Sequence, residues 1–194
     1  MEQAFPGNLA LFALLNASAQ APGWAVGLAV FLANGLIWVL LAGLIALWVA
    51  GPAAMRRALM AAGLALVIGM TLALGVASMN AAPRPFMAGI GHTLVAHAAD
   101  SSFPSDHATL FWSLGLGLLL ATPMRALGWA ITLAGGAVAW ARVYLGVHFP
   151  LDMAGSALIA LIAALAARAI LRRVGPGPLD AIETLYRRVL PVSR

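Results

Sequence analysis

The stretch SSFPSDHATLFW, Ser101 to Trp112, places Ser105, Asp106 and His107 in consecutive positions at the lip of an apolar run that continues to Leu120. Two other segments carry polar residues in similar settings. The loop from Asn80 to Pro104 holds PRPF, Pro83 to Phe86, together with His92, His97 and Asp100. The segment ARVYLGVHFPLD, Ala141 to Asp152, holds Arg142, His148 and Asp152. Ionisable residues at the ends of apolar spans are costly to place and mark function by default. Two arginines with no lysine and few carboxylates suit an anion, most naturally phosphate, because the guanidinium fork matches its oxygens. Ser105 stands where it can cap the helix that begins there, with Pro104 marking the entry. The free N–H groups and positive dipole end of that helix suit the same anion.

Two histidines can divide phosphoryl transfer between them, one attacking phosphorus and the other protonating the leaving oxygen. His148 and Asp152 are four apart around the start of an apolar run, with Pro150 in the first turn. At that spacing the carboxylate reaches back to one imidazole nitrogen and leaves the other free to attack. This is the orienter logic of the serine triads, with histidine as nucleophile. A metal site is the competing reading, since His and Asp are good ligands. Against it, no HxxxH or HExxH pair occurs, and two arginines would repel a cation. The bland reading of Arg84 and Arg142 is snorkelling to the interface. His92 and His97 read as loop residues at the mouth of the site, and Asp100 as a solvated acid or a partner for one arginine.

The elements that must position these groups are membrane spans. Of 194 residues, 63% are hydrophobic and 9% charged, against about 25% charged in soluble domains. A span needs about 20 apolar residues. The apolar runs predict five spans, at about Gly23 to Ala50, Ala58 to Met79, Ser105 to Ala121, Ala126 to Val143 and Pro150 to Leu171. A shorter stretch, Leu9 to Ala19, contains Asn16 and Ser18 and reads as an interfacial helix, with insertion as a sixth span as the alternative. The fold expected is an all-α polytopic membrane bundle, with residues 1–174 as the membrane-embedded domain.

The arginines assign sidedness. Arg56, Arg57, Arg125, Arg172, Arg173, Arg187, Arg188 and Arg194 all fall on one face of a five-span chain, which is expected to be cytoplasmic. Arg84 and Arg142 fall on the other, with the polar constellation. After the break GPGP, Gly175 to Pro178, the residues Leu179, Ile182, Leu185 and Val189 recur at helical spacing. Residues 175–194 therefore read as a cytoplasmic amphipathic tail lying on the membrane surface. The N-terminus MEQAFPGN lacks a basic n-region, so no cleavable signal peptide is expected. The absence of cysteine excludes disulfides and thiolate metal sites. The net charge of +5 comes from arginines scattered between apolar runs, which is no nucleic-acid footprint.

The three polar segments resemble the signature of the type-2 phosphatidic acid phosphatase superfamily. Its pattern is a lysine, six residues and Arg-Pro, then Pro-Ser-x-His, then Ser-Arg, three residues, Gly-x-His, three residues and Asp. Here the matching residues are Arg84-Pro85, then Pro104-Ser105-Asp106-His107, then Arg142, Gly146, His148 and Asp152. Aspartate in place of the usual glycine, in SFPSDHAT, looks like the undecaprenyl-diphosphatase branch, the bacitracin-resistance type of bacterial membrane phosphatase. The resemblance implies His148 as the nucleophile that forms a phosphohistidine, Asp152 as its orienter, and His107 as general acid and then base. It implies Arg84, Ser105 and Arg142 as phosphate ligands, with no metal or other cofactor. Two positions depart from the pattern. The motif lysine falls on Ala77, where Asn80 offers only a neutral hydrogen bond, and the serine opening the third motif is Ala141. Asp106 is expected to stabilise the helix start or to pair with an arginine.

The leading expectation is therefore an integral-membrane phosphatase of undecaprenyl diphosphate, in the bacterial inner membrane, with its site on the periplasmic or outer face. It would recycle the lipid carrier of cell-wall synthesis, its partners being the bilayer and the lipid phosphate. The same mechanism on phosphatidylglycerophosphate, phosphatidic acid or a lipid A phosphate is a second reading. An inactive lipid-binding relative is a third, against which His107, His148 and Asp152 speak.

Overall fold

The computed structural model describes residues 5–189 and is all-helical among them. The N-terminal residues Met1 to Ala4 and the tail residue Arg194 lie outside the described residues. Helix α1 (Pro6–Leu15) precedes α2 (Gly23–Val30), which runs through a π-helical turn at Phe31–Gly35 into α3 (Leu36–Ala50), one continuous span of 28 residues. Then follow α4 (Ala53–Met79), α5 (Asp106–Ala121), α6 (Arg125–Tyr144), α7 (Pro150–Val174) and α8 (Gly177–Val189).

Four helices are long and apolar enough to cross a membrane, namely Gly23–Ala50, Ala53–Met79, Arg125–Tyr144 and Pro150–Val174. The expected span after Ser105 is shorter than the rest. Helix α5 has 16 residues, roughly 24 Å at 1.5 Å per residue, against a hydrocarbon core of about 30 Å. It is also the most enclosed helix, packed against α4, α6 and α7, so protein rather than lipid surrounds it. The other predicted starts and ends shift by a few residues. The largest shift is in α4, which begins at Ala53 because Pro52 occupies its N-cap position.

Small residues allow this packing. A side chain at Gly69 would strike Ser113, one at Gly117 would strike Ala62 and Ala65, and one at Gly128 would strike Leu119. Close backbone approach of this kind gives membrane helices their dispersion energy where no hydrophobic effect operates between them. Phe111, Leu114 and Leu118 of α5 fill the space against Ile131 and Val138 of α6 and Ala62 of α4. The α2–α3 span lies at the edge of this core, on which Leu36, Ile37, Leu40 and Leu44 pack, and α3 has no fully buried residue.

Short connections make α5, α6 and α7 antiparallel neighbours, and the long loop from Asn80 to Ser105 joins α4 to α5, so the starts of α5 and α7 and the ends of α4 and α6 meet at one end. The segment expected to be interfacial closes that end as α1. Its Phe12 packs on Phe149 with ring centroids 5.2 Å apart. Asn8 Oδ1 accepts the Leu151 N–H, and Asn16 bonds to the backbone of both His92 and Tyr144. At the opposite end α8 docks on α4, where the buried Glu183 carboxylate accepts two hydrogen bonds from Arg56, at 2.7 and 2.8 Å. The Arg56 hydrogen bonds, followed by that from Arg187, hold Glu183 down at about 2, against the desolvation that would raise it.

Candidate active site

His148 sits in the five-residue turn between α6 and α7, and the turn depends on Gly146. Its φ of 77° is left-handed, and a Cβ there would overlap the His92 carbonyl oxygen. Only glycine meets both conditions, so the chain can reverse between Arg142 and His148. Pro150 opens α7 at a position where its missing N–H costs nothing. Asp152, in the first turn, folds back so that Oδ2 accepts the Phe149 N–H at 2.8 Å. The same oxygen lies 3.2 Å from His148 Nδ1 and 2.5 Å from Ser102 Oγ. Because the carboxylate only accepts, Nδ1 carries the imidazole proton and Nε2 carries the lone pair.

That lone pair faces two guanidinium groups. Arg84 Nη1 is 2.9 Å from His148 Nε2, and Arg142 Nη2 is 3.4 Å from it. His148 is 1% exposed, Asp152 0%, Arg84 4% and Arg142 3%. Burial, then the charges of Arg142, Arg84 and His97, holds His148 well below the usual histidine range, so its imidazole is neutral at neutral pH. Arg84 is fixed by Asp100 Oδ1 at 2.8 Å, by the Val147 carbonyl at 2.9 Å and by the Ser101 carbonyl at 3.2 Å. Asp100 thus takes the second of the two parts foreseen for it, as an arginine partner.

Ser105 occupies the N-cap position of α5, but its hydroxyl makes no capping bond, which corrects the expectation from sequence. The cap is replaced by a contact to α7. The Ser105 N–H donates to Ser156 Oγ at 2.9 Å, and the Ser156 hydroxyl lies 2.8 Å from the Asp152 carbonyl and 3.1 Å from that of Ser105. This junction sets the first turn of α5, with His107, against the first turn of α7, with Asp152. The Ser105 hydroxyl is left buried with no hydrogen-bond partner among the described residues, as is Arg142 Nε. Unpartnered buried polar atoms are costly, and these two suit an anion. His107 lies near enough for the charges of Arg142, His97 and Arg84 to act on it. Asp106 is exposed in the first turn of α5. Asn80 caps the end of α4 and accepts the Ser101 hydroxyl through its backbone carbonyl.

Two site residues were not foreseen, and a third stands deeper than expected. His97, expected at the mouth, lies inside, with Nε2 2.7 Å from Arg142 Nη2 and its ring centroid 6.2 Å from that of His148. Ser102 holds the Asp152 carboxylate. Asn34, on the π-helical turn of the first span, accepts from Arg142 Nη1 at 3.3 Å. Of the two unforeseen residues, only Ser102 left a signal in the sequence, a small polar residue in the motif-bearing stretch. His97 and Asn34 are recruited by tertiary approach.

A polytopic helical bundle with buried arginines converging on a neutral, carboxylate-oriented histidine is the architecture of a membrane phosphatase. The chain belongs to the PAP2 superfamily, whose pattern matches residues 58–175. It is 35% identical over 180 residues to YbjG of Escherichia coli (strain K12), which carries a provisional name as an undecaprenyl-diphosphatase, covering 93% of this chain and 90% of that one. It is 34% identical over 119 residues to the undecaprenyl-diphosphatase BcrC of Bacillus subtilis (strain 168), covering 61% of each chain. Among solved structures it is similar to Aquifex aeolicus LpxE, with a TM-score of 0.68 and 26% identity, over 85% of this chain and 96% of that one.

Proposed function

We propose that the chain removes the terminal phosphate of undecaprenyl diphosphate, yielding undecaprenyl phosphate and inorganic phosphate. The observation that carries the reading is the division of His148 between Asp152 on Nδ1 and the two arginines on Nε2. The substrate is read from the names of the relatives above, and the chemistry from the geometry.

When a phosphate enters, Arg84 and Arg142 turn their N–H groups from the imidazole to its oxygens, freeing the Nε2 lone pair. Nε2 attacks the terminal phosphorus and the bond to the bridging oxygen breaks. His107 gives its proton to that leaving oxygen. Water then attacks the phosphohistidine, His107 takes the water's proton, and the P–N bond breaks to return the lone pair to Nε2. Ser105 Oγ, Arg142 Nε and the amides at the start of α5 bind the phosphate oxygens, in the manner of an oxyanion site. Asn80 adds a neutral contact at the rim, and Asp106 balances the local positive charge.

Residues 1–174 form the membrane-embedded phosphatase and residues 175–194 a cytoplasmic tail. The arginines gathered at the α8 end support placing that end in the cytoplasm and the site at the outer face of the bacterial cytoplasmic membrane. The test is phosphate release by purified protein in detergent with EDTA, comparing undecaprenyl diphosphate, phosphatidylglycerophosphate and phosphatidic acid. Preference for the polyprenyl substrate supports the reading. Preference for a glycerolipid replaces the substrate and keeps the chemistry. No release by folded protein removes the phosphatase reading.

A further inference from the structure

Arg142 approaches His148 from the side of the first span, and what holds it there is unusual. Its neighbour Arg84 is fixed by a carboxylate and two backbone carbonyls, whereas Arg142 has no ion pair and no backbone partner for its side chain among the described residues. Its two terminal nitrogens go instead to two neutral side chains from remote segments. Nη1 donates to Asn34 Oδ1 at 3.3 Å and Nη2 contacts His97 Nε2 at 2.7 Å.

The bonding of His97 sets its tautomer. Nδ1 lies 3.1 Å from the Ala98 carbonyl, which only accepts, so Nδ1 carries the proton and Nε2 the lone pair. His97 therefore accepts from Arg142. Burial, opposed by the Ala98 bond and aided by the charges of Arg84 and Arg142, holds His97 below the usual histidine range, while nearby Asp100 pulls it upward. The neutral form is thus the resting one. Arg142 Nη2 is also the atom 3.4 Å from His148 Nε2. His97 draws that nitrogen toward itself and leaves it only a long contact with the nucleophile.

From these contacts we infer that His97 is a positioning residue for the reaction. With Asn34 as the opposite jaw, it clamps the guanidinium of Arg142 by accepting a hydrogen bond, so that the edge bearing Nε stays directed at the phosphate. The inference rests on the reading of Arg142 as a phosphate ligand. A neutral acceptor suits the task, since a carboxylate in its place would neutralise the charge the phosphate needs. The π-helical turn gives the peripheral first span its link to the site, because it presents Asn34 toward α6.

The test uses full-length protein in detergent with His97→Phe, His97→Ala and His97→Gln. Glutamine places an acceptor near the position of Nε2 but does not titrate, while phenylalanine keeps ring volume without an acceptor. Two quantities are read, kcat/KM for phosphate release and the affinity for orthovanadate by calorimetry, with thermal melting as the folding control. Phe and Ala should lose about tenfold to a hundredfold in kcat/KM, the scale of a misplaced binding group, and should bind vanadate more weakly. Gln should recover most of both, with the pH profile of the wild type. If Gln is as impaired as Phe, His97 acts by its proton or charge and the clamp is wrong. If all three match the wild type, it is wrong also. A wild type that binds vanadate without releasing phosphate sinks the phosphatase reading, and vanadate affinity across the variants still judges the clamp. A wild type that binds no vanadate overturns both.

Discussion

His148 Nδ1 lies 3.2 Å from Asp152 Oδ2, one helical turn further on, and both side chains are buried. The carboxylate thereby decides which imidazole nitrogen bears the lone pair. Asp152→Asn preserves the shape and presents an amide N–H toward Nδ1, which moves the proton to Nε2, the attacking atom. The variant should fold and bind orthovanadate while kcat falls by about three to four orders of magnitude, as in triads whose orienting aspartate is amidated. Steady-state phosphate release checks this, and a loss below tenfold would show that Asp152 only caps α7.

The cationic surroundings of His148 predict a pH dependence. Burial, Arg142, Arg84 and His97 hold its protonation below the ordinary 6.5. The nucleophile therefore stays neutral as pH falls through 6.5, and the acid limb of kcat/KM that belongs to it lies lower. Arg84→Gln removes one lowering charge, so that limb should move to higher pH as activity drops. The linkage to stability has a definite sign. The unfolded chain takes up a proton near pH 6.5 that the folded site refuses, so this contribution is present above 6.5 and is lost as pH falls below it. pH–rate profiles of the two proteins test the shift, and a limb that stays in place or moves to lower pH would contradict it.

At the other end of the bundle, Glu183 joins α8 to Arg56. Its pKa is lowered from 4.5 to about 2, mainly by the Arg56 hydrogen bond. The docking it supplies is full above pH 4.5 and is lost as pH falls toward 2. Glu183→Gln should loosen α8 at neutral pH, raising amide exchange across Gly177–Val189. Phosphate release should stay within about twofold of wild type, since Glu183 touches no site residue and distant sites act independently. Unchanged exchange in α8 would show that the pair does not hold the helix.

The sequence displays the spans because bilayer thickness forces long apolar runs, and the His148 and Asp152 pair because a four-residue spacing brings side chains together on any helix. The short α5 was placed to within one residue, although a helix enclosed by α4, α6 and α7 need not satisfy the length rule for lipid-facing spans. The contacts of His97 and Asn34 with Arg142 were invisible for another reason. His97 lies in a loop without periodicity and Asn34 on a lone π-helical turn, and both meet Arg142 only through the approach of the first span and the Asn80–Pro104 loop to α6. Asn16, a polar break in an apolar stretch, finds its use in tying α1 to His92 and Tyr144. The unpartnered hydroxyl of Ser105 could not be read either, because serine at a helix start ordinarily caps it.

The central claim is that His148 Nε2 accepts the phosphoryl group. The direct measurement is to react the wild type, which keeps His107 as the acid of the first step, with terminally 32P-labelled undecaprenyl diphosphate and to stop it within a single turnover. The reaction is quenched in alkali, where a phosphorus–nitrogen bond survives. The account predicts label on the peptide containing His148, lost on acid treatment and absent when His148 is replaced by alanine. Label on another residue, or turnover by the wild type that persists in His148→Ala, would contradict it.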